Sequence, residues 1–165
     1  MLSGRVTDKM VFVAIYTIVA VLVIIQGARH VANLALDTTF YNDYLVVWEV
    51  QLLTLRHQTT AWPDLNPHDP GAYMEALESV MRAGGHEPPM SNTDRAHIYR
   101  LRQFGEQPKQ VLFVGTNEQM IIYNLPVSTF ERLDHFIDGG VDPDQGRFTG
   151  RWSEDRITRI AYWKI

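Results

Sequence analysis

The sequence predicts an α+β domain carried on one long amino-terminal helix whose first half is built to cross a membrane. Three observations carry that prediction. The stretch Met10–Ile25, MVFVAIYTIVAVLVII, contains no charge, no Gly and no Pro. From Ala28 to Gln58 there is again no Pro or Gly, so a helix can continue past the apolar stretch. Beyond Asp69 the pattern changes to short helical and β-rich runs in the order helix, about three strands, helix, two strands. Helices segregated on one face of an antiparallel sheet are the α+β solution to burying an apolar face.

The apolar stretch comes first. Gln26, Gly27 and Ala28 extend it before Arg29 and His30 close it. At a rise of ~1.5 Å per residue, Met10–Ala28 reaches ~28 Å, about the thickness of a bilayer's hydrocarbon core. A core helix of a soluble protein would show a polar stripe, and none is visible. A cleaved signal wants small residues at two positions one apart, which Gln26-Gly27-Ala28-Arg29 fits badly. The expected organisation is therefore a leader over 1–9, a membrane-spanning helix over 10–28 and an external α+β domain over 29–165. Arg5, Lys9 and the amino terminus against Asp8 favour a cytoplasmic amino terminus by the positive-inside tendency.

Charge and composition bound the rest. Removing Arg5, Lys9 and Asp8 from the 15 basic and 19 acidic residues leaves 13 against 18. That acidic balance, with no basic cluster, argues against a nucleic-acid partner. The absence of Cys excludes disulfides, thiolate metal sites and cysteine nucleophiles. With 11% aromatic and 21% charged residues, the composition is that of a folded domain rather than a disordered tail.

In the second half of the helix, Tyr41, Tyr44, Trp48, Leu52 and Leu55 recur at steps of three and four and define one face. Leu45, Val46, Val47, Val50 and Leu53 make the rest unusually apolar. That surplus fits either a second face covered by a neighbouring subunit or deep burial in the chain's own domain. Asp37-Thr38-Thr39 are poor helix formers, and a kink, a break or a new cap is expected there. Gln58–Asp69, with Asn66, Pro63, Pro67 and two Thr, reads as a loop. Asp69 followed by Pro70 suits a cap with Pro at the first helical position. The helix that follows places Tyr73, Leu77, Val80 and Met81 on one face and stops at Gly84-Gly85.

Ala96–Phe104 reads as a strand with Tyr99 and Leu101 on one side. Gln110–Gly115 and Gln119–Asn124, joined by Thr116-Asn117-Glu118, read as a hairpin. Ser128-x-x-Glu131 has the form of a capping box opening a helix over Thr129–Ile137, with Phe130, Leu133, Phe136 and Ile137 inward. Gly139-Gly140 ends that helix. Arg147–Trp152 and Arg156–Lys164 form a last hairpin around Ser153-Glu154-Asp155.

Chemistry is sparse. The six His, at 30, 57, 68, 86, 97 and 135, show no helical metal-site spacing. His57, His68, His86 and His135 read as surface residues. Asp138, Asp142 and Asp144 with Gly146 form an acidic loop of the kind that can hold Ca²⁺, although Asp and Gly also favour loops for conformational reasons and no EF-hand register is present. No Ser stands in a nucleophile elbow, and Gly139-Gly140 is not a phosphate loop. Trp48 and Trp163 read as core residues. Trp62 reads as either a local packing residue or an exposed contact. No catalytic, cofactor-binding or metal-ligating residue is assigned.

The layout, with the late stretch Ile137-Asp138-Gly139-Gly140-Val141-Asp142-Pro143-Asp144-Gln145-Gly146-Arg147, resembles the type IV pilin and type II secretion pseudopilin superfamily. Its members carry a long amino-terminal helix packed on a small antiparallel sheet, and many have a helix ending in Ile-Asp-x-Gly before a late strand. The processing signature departs from the family. Gly4 is followed by Arg5, and Lys9 stands where prepilins have Glu. The resemblance implies a non-enzymatic minor pilin or pseudopilin-like subunit of a pilus or secretion system in a bacterial inner membrane. Its domain would be periplasmic, its partners the lipid bilayer and homologous subunits, and its state oligomeric. The alternative from another class is an unprocessed, signal-anchored accessory or sensory subunit that binds a protein or small ligand outside the membrane. A membrane-anchored hydrolase would need a pocket the sequence does not reveal.

Overall fold

The computed structural model describes residues 3–58, 62–66 and 68–165, with side chains from Lys9 onward. Arg5 and Asp8 of the leader, and Pro67 and the two Thr of the predicted loop, thus lie outside the described side chains or residues. One helix runs from Ser3 to Gln58 in three contiguous pieces: α1 (Ser3–Phe40), a π-helical turn (Tyr41–Leu45) and α2 (Val46–Gln58). At ~1.5 Å per residue it is about 80 Å long. Within it, Lys9–Gln58 contains a window long and apolar enough to cross a membrane, and none of that window is buried in the protein's own fold.

The irregularity expected at Asp37-Thr38-Thr39 occurs two residues later and takes a different form. The helix does not break or gain a cap. The Val46 N–H instead bonds to the Tyr41 carbonyl, a wider i→i+5 turn. Asp37 below the π turn and the row Tyr44, Trp48 and Leu52 within and above it are all buried against the domain.

The helix α3 (Pro70–Ala83) starts as the sequence predicts, with the Asp69 carboxylate accepting from Ala72 N at 3.0 Å and Pro70 in the first turn. It buries Tyr73, Met74, Leu77, Glu78 and Met81. The strand expected over Ala96–Phe104 is shorter, β1 (Ile98–Leu101). The predicted hairpin is β2 (Lys109–Gly115) and β3 (Gln119–Pro126), and the last hairpin is β4 (Phe148–Trp152) and β5 (Thr158–Lys164). The five strands are antiparallel in the order β1-β2-β3-β5-β4. Register slips between Ile122 and Leu125, where Asn124 has a left-handed φ of 66°, so β3 bends at a bulge.

α4 spans Val127–Asp138 and follows Pro126 directly. The predicted capping box does not form, because Ser128 lies inside the helix and its hydroxyl accepts instead from Gln103 Nε2 at 3.1 Å. The stop is as expected, with Gly139 N bonded to the His135 carbonyl at 3.0 Å. Phe130 and Leu133 are buried, whereas Phe136 and Ile137 are only partly covered.

Strand alternation puts Val111, Phe113, Met120, Ile122, Ala161, Trp163 and Phe148 on the face that meets the helices. Trp48 stacks on Phe113 at 4.6 Å between ring centroids, and Tyr44 and Phe40 pack on Tyr99 at 4.8 and 4.7 Å. Phe130 of α4 reaches the sheet because position 150 is Gly, where a Cβ would stand 2.3 Å from its ring. Trp48 and Trp163 are core residues, as the sequence indicates. The architecture, a long apolar-ended helix packed on an antiparallel sheet, is pilin-like.

Candidate functional site

The polar residues that join the apolar half of the helix to the domain form one stripe. Arg29, Asn33 and Asp37 follow at steps of four and so share a helix face. Each has a domain partner. Arg29 pairs with Glu106 at 2.6 Å. The Asn33 side-chain oxygen accepts from Phe104 N at 2.6 Å. Asp37 accepts from Thr129 Oγ1 at 3.1 Å and from Arg132 Nε. Gln103 donates to Thr129 Oγ1 at 3.0 Å, which ties the β1–β2 loop to the same cluster. Burial pushes the Asp37 carboxyl above its usual range, partly offset by Arg132 and the two hydrogen bonds. A buried carboxylate with a cation and a hydroxyl donor is a fixed junction, costly to break by removing one partner. The helix therefore enters the domain without a flexible linker.

Above the junction the helix has two apolar sides. Tyr44, Leu45, Trp48, Leu52 and Leu55 are buried, and Tyr41 and Val46 partly so. Val47 remains 38% exposed and Val50 55% exposed. Of the two alternatives for the surplus, self-burial accounts for part of it. The domain covers Leu45 and much of Val46, and leaves Val47 and Val50 open. Toward the amino terminus Val31 and Leu34 are open as well, and Met10–Ile25 is exposed throughout.

The acidic loop is organised from within. Asp134 is buried and its Oδ2 accepts from Asp142 N at 2.8 Å. Asp138 Oδ1 accepts from Arg147 N at 3.1 Å, and Oδ2 from Phe148 N at 2.8 Å. Asp142 accepts from Asp144 N at 3.1 Å. Gly146, at φ 99°, passes so close to Asp138 that a Cβ would stand 2.2 Å from its carboxylate. These carboxylates hold the turn that sends the chain from α4 into β4. Among the described residues no three His, Cys, Asp or Glu are grouped to share a metal ion. Burial pushes the Asp134 carboxyl above its usual range, opposed by the Asp142 backbone donor.

The sequence missed a second buried polar contact. His97 is fully buried, and its Nδ1 lies 2.7 Å from Glu78 Oε1. Glu78 also accepts from Arg82 at 3.2 Å. These residues border an open hollow of about 400 Å³ between α3 and the connector before β1. The only advance sign was a lone Glu on the apolar face of α3, one residue from Leu77. His57, His68 and His135 are exposed and His86 partly so, as expected of surface residues. Trp62 packs partly against the core. Trp152, exposed at the sheet edge, lies under the Arg159 guanidinium at 4.5 Å.

The geometry is that of a rigid stem with a domain fixed to one side, and its most extensive unsatisfied feature is the apolar helix surface. No protein-family model, curated protein or solved structure matches this chain.

Proposed function

We propose that the chain is a non-enzymatic structural subunit of a pilin-like or pseudopilin-like membrane assembly, anchored by Met10–Ala28 and joined laterally to other subunits through the upper helix. The amino terminus would be cytoplasmic and the domain periplasmic, in a bacterial inner membrane. The observation that carries this reading is the helix surface itself. The span-length segment is uncovered by the domain, and apolar side chains are again left open higher up, at Val31 and Leu34 and then at Val47 and Val50 beside a fully buried Trp48. Apolar surface left open beyond the span is what lateral packing against another helix would remove from water.

A second reading is favoured by Arg5 after Gly4 and by Lys9 at the position of the prepilin Glu. Here the chain keeps its amino terminus and serves as a signal-anchored accessory subunit, with its domain binding a protein or small ligand.

The natural absence of Cys allows a clean test. In native-host membranes, Val50→Cys should give cross-linked adducts of defined mass, whereas Ile157→Cys, exposed on the distal hairpin, should not. A Val50→Cys protein that stays monomeric under conditions that link a known oligomer would overturn lateral assembly through this face. The intact mass separates the two readings. Loss of Met1–Gly4 supports the pilin-like subunit, and a full-length chain supports the accessory protein.

A further inference from the structure

We infer that the β1–β2 loop, Arg102–Pro108, is a second membrane contact, with the Phe104 ring seated in the lipid headgroup layer beside the helix. The inference rests on the proposed reading of Met10–Ala28 as the membrane span. The helix fixes the loop's height. Arg29 is the first residue past Ala28, and Asn33 is four further on, so the two stand ~1.5 Å and ~7.5 Å above the end of the span. Glu106 is held by Arg29 at 2.6 Å, and Phe104 N by Asn33 at 2.6 Å. The loop is therefore pinned at the level where hydrocarbon gives way to headgroups, a layer of several ångströms on each side of the core.

The chemistry of the loop suits that layer. Phe104 is 54% exposed, although the preceding Gln103 is buried. A large apolar ring turned away from its own core, at interface height, is placed where interfacial segments bury Trp, Phe and Leu at the boundary of headgroups and acyl chains. Charge agrees. Arg29, Arg102 and Lys109 surround the loop with a single acid, Glu106, while the chain as a whole is net −4. A local cationic excess on an acidic chain complements lipid phosphates. Because Asp37, Thr129 and Arg132 lock the helix to α4, a helix and a loop in contact with the same bilayer would fix the tilt of the whole domain.

The test uses the full chain in phosphatidylcholine vesicles, with a nitroxide on Phe104→Cys, Leu22→Cys or Ile157→Cys. Collisions with oxygen, which partitions into lipid, are compared with collisions with a water-soluble nickel chelate. The Leu22 label should favour oxygen strongly and the Ile157 label nickel. The Phe104 label should fall between them, with its oxygen-to-nickel ratio clearly above that of Ile157. A Phe104 ratio equal to that of Ile157, with Leu22 in lipid, would overturn the loop contact and leave the span intact. Protection of Phe104 from both reagents would mean that protein covers the ring, and would also overturn it. A Leu22 label open to nickel would remove the span and the inference together.

Discussion

Both halves of the long helix carry many large apolar side chains, in opposite surroundings. In the first half, side chains such as Leu22, 54% exposed, are open on every side. In the second, Trp48 and Leu52 are fully buried while Val50, two residues from each, is 55% exposed. The difference teaches that hydrophobicity alone does not say what covers a helix. Its angular distribution does. An all-round apolar helix calls for an apolar solvent, whereas a one-sided face calls for a core. Between the halves lies a third regime, the stripe Arg29, Asn33 and Asp37, whose side chains hold the domain through hydrogen bonds and ion pairs.

The largest effect should come from the buried side of the upper half. Trp48→Ala removes a ring stacked on Phe113 and leaves a cavity under α2, costing about 3–5 kcal/mol of domain stability. Thermal unfolding in detergent, followed by near-ultraviolet circular dichroism, should show a large drop in midpoint. Membrane retention should be unchanged. If fractionation changed as well, the two halves would not be independent.

The mirror experiment lies in the lower half. Val21→Asp puts a charge in the middle of the proposed span, at about 2.5–3.5 kcal/mol on insertion scales. The chain should leave the membrane fraction while its domain, if soluble, keeps its unfolding midpoint. Retention of this variant in carbonate-washed membranes would argue that the segment is covered by protein rather than lipid.

How much of this was legible in advance follows from the same contrast. The span-length helix, its buried row, the Asp69-Pro70 start, both hairpins and the Gly139 stop are local, periodic signals and were readable. The junction was not. Asp37 reads locally as a helix-weakening residue because its partners Thr129 and Arg132 lie more than ninety positions away. Only the four-residue spacing of Arg29, Asn33 and Asp37 hinted at a shared face. The Ser128-x-x-Glu131 pattern misled for a related reason. Pro126 places the chain so that the helix begins one residue before Ser128, and a tertiary partner, Gln103, takes the hydroxyl. Glu78 and His97 were likewise invisible as a pair, since nothing local links α3 to the start of β1.

The junction is the next place to press. Asp37→Ala leaves Arg132 without its carboxylate, a loss of about 3 kcal/mol, at the low end for a buried pair because the guanidinium keeps some exposure. Asp37→Asn keeps an acceptor and tests the charge. The folded-state pKa of Asp37 is raised above 3.8, so the folded protein binds more protons than the unfolded chain between those values. The stability this group contributes is complete below the unfolded pKa and is lost as pH rises through the folded one. The Asn variant lacks that loss. Its midpoint relative to wild type should improve as pH is raised from about 4 toward neutrality. A difference that is flat with pH would show that Arg132 offsets the burial and leaves the folded pKa at its unfolded value, and a relative midpoint that falls would show Asp37 held ionised.

The smallest effect should be at Val50, and it bears most directly on what the upper half is for. Val50 and Trp48 are two positions apart on α2, so they point to different sides of the helix. Val50→Ser removes two methyl groups that the domain does not cover, and surface changes of this kind usually stay within about 0.5 kcal/mol. The unfolding midpoint of dilute, detergent-solubilised protein should barely move. In native membranes the same variant should weaken lateral association, because only a neighbouring chain would cover this surface. A clear loss of stability in the dilute monomer would mean that Val50 belongs to the core after all. The contrast between the halves of the helix would then be one of degree, and the argument for a second partner would lose its footing.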